Sequence, residues 1–176
     1  KEDIEWIVLA KENEKALVIS KYALDCQKYN STYTDVTWET CTLRKWMNGT
    51  FLNNAFSAEE QAQIQNTNVS ADKNPKYSTN PGNATADKVF LLSITEVEKY
   101  FSSDNARQCK PTKYAVDNGA YVNSNNGNCW WWLRSPGSYQ NYAAHVDYDG
   151  SVGCYGYSVL DDDDAVRPAL WINLDS

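Results

Sequence analysis

Most of the residues that could do chemistry are crowded into one short stretch. Between Ser138 and Asp164 lie five tyrosines, six aspartates and the chain's single histidine, and neither Lys nor Arg occurs there. We take Tyr139, Asn141, Tyr142, His145, Asp147, Tyr148, Asp149, Tyr155, Tyr157, Ser158 and Asp161 as candidate ligand-binding residues. They are interleaved with small or apolar residues, among them Ala144, Val146 and Val152. Alternate residues of a strand face opposite sides, so these three are expected to face the core while His145, Asp147 and Asp149 face out. Tyrosine with Ser, Asn and Gly is also the composition of antibody paratopes, where rigid amphipathic contact area sits beside adaptable hydrogen bonds. The bland alternative is a β meander packed by its own tyrosines. Six aspartates without one basic residue in the same 27 positions favour an exposed surface.

Other chemistries find less support. As a general base, His145 would need an orienting carboxylate and a nucleophile within reach. Asp147 could orient it, but no third member of a triad is marked, so His145 is expected to be a surface contact and the chain not to be an enzyme. The run Asp161 to Asp164 could bind calcium through several carboxylates, yet such runs are more often solvated loops. Asp147-Tyr148-Asp149-Gly150 is too short for an EF-hand loop. No metal and no cofactor is therefore expected. Cys26, Cys41, Cys109, Cys129 and Cys154 are odd in number and include no C-x-x-C pair. With one His in the chain they do not suggest a zinc site. Buried free thiols are expected, with one disulfide open to an exported chain. Trp130, Trp131 and Trp132 read as structural, forming the floor of the surface rather than a sugar platform. Arg134 and Arg167 read as buried or half-buried groups that pair with acids or bond loop carbonyls.

Charge narrows the partners. Six of the seven net negative charges fall in residues 138–164. A nucleic-acid partner would require a basic stripe, and an anionic membrane would repel this surface. A protein ligand, preferably basic, fits best. No apolar run approaches the ~20 residues of a membrane span. Ile4 to Ala10, which follows Lys1, Glu2 and Asp3, is no signal peptide. The cell surface or the exterior is favoured over the cytoplasm. Oligomeric state is left open.

The scaffold that must hold the surface reads as α+β, with helices in the N-terminal two thirds and a β-rich C-terminal third. The length of 176 residues suits a single domain. Residues 1–137 would be scaffold, 138–164 the ligand-binding region and 165–176 a closing strand. Glu5 to Ala10 is apolar on both faces, which predicts a central buried strand. Lys11 to Lys15 would turn it back into a second strand, Ala16 to Ser20. A helix is expected within 37–56, ended or bent at Gly49, and another from Ser57, with Glu59 and Glu60 in its first turn. Residues 72–87 read as a long surface loop and 88–93 as a buried strand. Thr95 would cap a short helix, and Pro111 would open another. Beyond it, 129–134, 143–147, 151–153 and 155–159 read as strands.

Three segments carry a resemblance: Asp35 to Trp46, Cys129 to Gly137 and Ala165 to Ile172. Together they resemble a family of bacterial domains of unknown function that includes variable proteins of diversity-generating retroelements. The resemblance implies a C-type-lectin-like fold, related to that of formylglycine-generating enzymes. It also implies that adenine-directed mutagenesis rewrites the 3′ part of the gene while the scaffold stays fixed. In such systems AAC codons become NNC, which cannot encode Gln, Glu, Lys, Met or Trp. Between Ser138 and Asp164 the only such residue is Gln140. A carbohydrate-binding surface module and an enzyme of the formylglycine-generating type are the alternatives. The calcium-lectin triplets Glu-Pro-Asn and Gln-Pro-Asp are absent, and the cysteines lack that enzyme family's surrounding motif.

Overall fold

A computed structural model describes residues 2–174. Lys1, Asp175 and Ser176, the ends of the expected single domain and closing segment, lie outside the described residues. Strand β1 (Trp6–Glu12) folds back on β2 (Lys15–Ser20) through Asn13 and Glu14, whose φ angles are 46° and 63°. Two left-handed residues give a two-residue hairpin turn whose twist matches that of the strands it joins. On its other side β2 pairs with β10 (Ala169–Asn173), so the order is β1-β2-β10. This corrects the reading of β1 as central. β2 is the buried middle strand, and β1 is an edge on which Val8 is exposed. Two apolar faces fixed neither the strand's place in its sheet nor its burial, since no residue of β1 is fully buried.

A second sheet holds the C-terminal chemistry. Its order is β3 (Asp25–Cys26), β9 (Ala165–Val166), β6 (Trp131–Pro136), β7 (Tyr142–Val146) and β8 (Val152–Ser158). All its pairings are antiparallel except β6 with β9. The expected closing strand is divided at Pro168, which has no N–H to give a ladder. Before it the chain belongs to this sheet, and after it to the first. Residues 151–153 and 155–159, read as two short strands, are joined within the one strand β8. The pair β4 (Thr67–Val69) and β5 (Thr85–Asp87) stands apart.

The expected C-type-lectin-like α+β arrangement, with helices gathered in the N-terminal two thirds, is corrected. Strand exceeds helix, 29% against 21% of the chain, and no specific fold is confirmed. The short helices are scattered, with β1–β5 before and among them. Helix α1 (Thr42–Trp46) runs through a π-helical turn (Met47–Phe51) that contains Gly49 into α2 (Leu52–Ala55). Then come α3 (Ala58–Gln63), α4 (Ile94–Tyr100), α5 (Asp104–Arg107) and α6 (Lys113–Asp117). Dense capping keeps them short. Ser57 with Glu60 and Ser93 with Glu96 form capping boxes, and Ser103 and Thr112 cap α5 and α6. Phe56, Ile64 and Phe101 stop α2, α3 and α4 by turning extended. Ser93, not Thr95, is the cap of α4, and Thr112, not Pro111, begins α6.

One hydrophobic core joins the sheets. Trp131, Trp132 and Leu133 of β6 are fully buried, as are Ile19, Leu91 and Leu92. Residues 88–93 are mostly buried, but Lys88 and Val89 form a bend and Phe90 makes only an isolated bridge with Ala169, so the segment is not a strand. Arg134 fastens this core to the loops. Its guanidinium donates to the Ser70 and Leu91 carbonyls and pairs with Asp72 and Glu96.

Candidate functional site

The β7–β8 hairpin carries the site. Its turn is held by Asp149, whose carboxylate accepts from the Ser151 N–H at 3.0 Å and the Ser151 hydroxyl at 2.6 Å. Those two hydrogen bonds favour the ionised form and lower the Asp149 pKa. Gly150 has φ 86° and lies against the Asp104 carbonyl, so only glycine fits there. Gly156, at φ 74°, lets β8 pass the Ala143 carbonyl, which a Cβ would meet at 2.2 Å. The register shift between Ala143 and His145 lies opposite it. A bulge of this kind re-aims neighbouring side chains, and here the large ones on β8, Tyr155 and Tyr157, both emerge into solvent.

The aromatic rings form two groups. Tyr155 packs edge-on against Tyr77, Tyr139 and Tyr142, with centroids 6.0–6.1 Å away. Tyr157 stacks on Trp130 at 5.3 Å, and Trp130 stacks on Tyr121 at 4.4 Å. Tyr148 touches the second group through Tyr121. Tyr139, Tyr148, Tyr155 and Tyr157 are exposed, and Tyr142 is half-buried. Between the groups lies a cleft of about 320 Å³, with Gly153 and Gly156 among its lining residues.

His145 does not face solvent, which corrects the expectation of a surface contact. It is 2% exposed. Its ring lies 4.7 Å from that of Tyr157 and 5.9 Å from that of Trp130. Gly153 makes room for it, since a Cβ there would come within 2.6 Å of the imidazole. Nε2 meets Asp147 at 3.1 Å and Nδ1 meets Asp164 at 3.2 Å. Burial pushes the imidazole pKa down. The Asp164 charge and hydrogen bonds to Asp147 and Asp164 outweigh it and raise the pKa to about 10. At neutral pH, then, His145 is an imidazolium held between two carboxylates.

The acidic residues divide by depth. Asp164 is fully buried, while Asp149 is exposed, Asp147 half-buried and Asp161 half-buried. Asp161, Asp163 and Asp164 each bring a carboxylate oxygen within 4.8 Å of the others. Among the described residues this is the group that a hard cation would choose. Burial, followed by the Asp163 and Asp164 charges, lifts the Asp161 pKa to about 6. Cys26 closes the group from behind, its thiol directed at the Asp162 and Asp164 carbonyls. All five cysteines are buried and free. Asn141 and Ser158 are half-buried, and their polar groups serve the hairpin: the Asn141 carbonyl accepts from Val159 and the Ser158 hydroxyl accepts from Leu160.

Three residues outside the candidate set belong to the site. Tyr77 completes the first ring group from the 70–84 loop. Trp130, expected in the floor, is only half-buried and is the platform under Tyr157. Gln140 anchors the region: its side chain accepts from the Asn80 N–H at 2.8 Å and donates to the Asn80 and Val36 carbonyls. The 70–84 loop is fastened again by Asn74, which is 4% exposed and donates to the Pro136 and Cys154 carbonyls. No local pattern marks Tyr77, because its ring partner Tyr155 lies 78 residues away. Gln140 does carry a signal, as the one residue of its stretch outside the NNC set.

No curated protein and no solved structure matches the chain. One family model does, over residues 13–174, and it describes a domain of unknown function. That match carries neither a lectin-like fold nor a link to retroelements. It spans nearly the whole chain, and the protein therefore belongs to the DUF6273 family.

Proposed function

We propose that this protein is a non-catalytic recognition domain that binds a protein ligand through the tyrosine- and aspartate-rich face of its β7–β8 hairpin. The observation that carries this reading is the joint exposure of Tyr139, Tyr148, Tyr155 and Tyr157, grouped by ring contacts around the hairpin and the Trp130 platform. Exposed aromatic rings grouped on a rigid sheet are the usual source of binding energy at protein interfaces. His145 supports binding over catalysis. Both its nitrogens are engaged, and as an imidazolium it has no lone pair with which to accept a proton.

Tyr148 and Tyr155 are the residues to remove, because Tyr157 also supports Trp130 and His145. The variant carrying Tyr148→Ala and Tyr155→Ala is expected to melt within a few degrees of the wild type. In a quantitative comparison of proteins retained from one surface-protein extract, it should lose at least about tenfold, or ~1.4 kcal/mol, of the specific retention. Equal retention by the two proteins would end the reading.

We further propose that the gene is the variable member of a diversity-generating retroelement. Gln140 supports this: the one residue in its stretch that NNC cannot encode is also the one tied to Asn80 and Val36. A near-copy of the codons for roughly 130–170 is expected beside a reverse-transcriptase gene, differing only at adenines. Differences at bases other than adenine, or the lack of any such copy, would sink the proposal.

A further inference from the structure

The cleft between the two ring groups suits one kind of side chain. Tyr142 and Tyr155 bound it on one side, Tyr157 and Asp147 on the other. Tyr155 and Tyr157 flank Gly156 at the bulge of β8, both emerge into solvent, and both line the cleft. The cleft's volume of about 320 Å³ leaves room for a side chain between them. No ring contact links Tyr155 with Tyr157 among the described residues, whereas each is braced by its own neighbours. The gap is therefore held open by packing on both sides.

In the cleft's lining the Asp147 carboxylate faces the His145 imidazolium, and the negative surplus comes from the acids beyond the lining. Asp147 is part-exposed at its edge. Asp161, Asp163 and Asp164 stand close enough to act on the Tyr157 hydroxyl, whose pKa is raised first by burial and then by Asp147 and these three. His145 offsets one of the four charges. Aromatic faces with a carboxylate beside them attract cations, and the guanidinium group is the flat one: it stacks on rings and hydrogen-bonds carboxylates in the same plane.

We propose that this cleft is an arginine subsite, which takes one arginine side chain of the protein ligand between Tyr155 and Tyr157 with its guanidinium against Asp147. The assignment rests on the recognition reading above and names what that surface grips. It also gives the net charge of residues 138–164 a use, since a basic partner approaching the face is steered toward it.

The test is a two-dimensional amide NMR titration of the whole chain with three blocked pentapeptides that differ only at the central residue, arginine, lysine or citrulline. The arginine peptide should give saturable shifts centred on Gly153, Tyr155 and Tyr157 at concentrations on the order of 10 mM or below. Citrulline, which keeps the shape without the charge, should give none. Lysine should bind at least about fivefold more weakly, because an ammonium cannot stack as a plane. Asp147→Asn and, independently, Tyr155→Leu should each weaken the arginine peptide at least about fivefold while distant amide signals stay in place. The subsite is overturned by equal shifts from citrulline or lysine, by shifts centred elsewhere, by no saturable shift, or by undiminished binding to folded Tyr155→Leu. Should the peptides fail while the alanine pair still loses its retained proteins, the subsite falls and the recognition reading stands. Failure of both experiments removes both.

Discussion

His145→Phe is expected to lower the unfolding free energy by about 3–5 kcal/mol at pH 7, the usual cost of removing one member of a buried ion pair. The change deletes the group that both Asp147 and Asp164 bond, and it leaves the fully buried Asp164 carboxylate without that partner. The pH dependence follows from the raised histidine pKa. An unfolded histidine titrates near ~6.5, whereas the folded one titrates near 10. A group whose pKa rises on folding contributes stability that is complete below the unfolded value and lost as pH climbs through the folded one. Wild-type stability should therefore fall between pH 6.5 and 10. Asp161, raised to about 6, adds a loss of the same sign between its unfolded pKa of 3.8 and 6. The phenylalanine variant should keep the lower-pH slope and lose the upper one. Urea unfolding at intervals from pH 5 to pH 10 measures both. A wild-type curve that is flat above pH 7 would show that the imidazolium is not held by its two carboxylates.

Arg134→Met should cost a similar amount, about 3–5 kcal/mol, for a different reason. The guanidinium is 3% exposed, and its hydrogen bonds run to the Ser70 carbonyl at 3.1 and 3.0 Å and to the Leu91 carbonyl at 2.9 Å. Methionine fills much of the volume but leaves these carbonyls without the guanidinium donor and Asp72 and Glu96 without their cation. Arg134→Lys should recover little, because one ammonium cannot reach the carbonyls of two separate segments as a fork does. The damage should also reach the binding face. Ser70 and Asp72 lead into the loop that presents Tyr77 to Tyr155. Amide exchange should accordingly rise in residues 70–84 of the lysine variant, even where its global stability allows folding. Unchanged protection of that loop would show that Asn74 and Gln140 are sufficient to hold it.

Both effects depend on partners that sequence proximity does not disclose. Asp164 lies nineteen positions beyond His145, and in the sequence it reads as one acid of a solvated run. The alternation through 143–147 put His145 on the outward face, and it does share its face with Gly153 and Tyr157. What buries it is Tyr157 and Trp130 closing over the ring. Period-2 patterning assigns a side chain to a face but says nothing of what later covers that face. The same gap explains β1, whose two apolar faces were read as a central position although the strand is an edge.

The sequence by itself determined the local features whose causes are local. These include the β1–β2 hairpin, the Ser57 helix start, and the concentration of acid and tyrosine in residues 138–164. Only the tertiary structure decided that helices stay short among strands, that Pro168 passes the chain from one sheet to the other, and that Tyr77 and Trp130 brace the two sides of one cleft. Hairpin turns, caps and alternation follow from sterics within a few residues. The cleft follows from long-range packing, in which segments eighty residues apart share a surface because a common tryptophan core draws both sheets and their loops together.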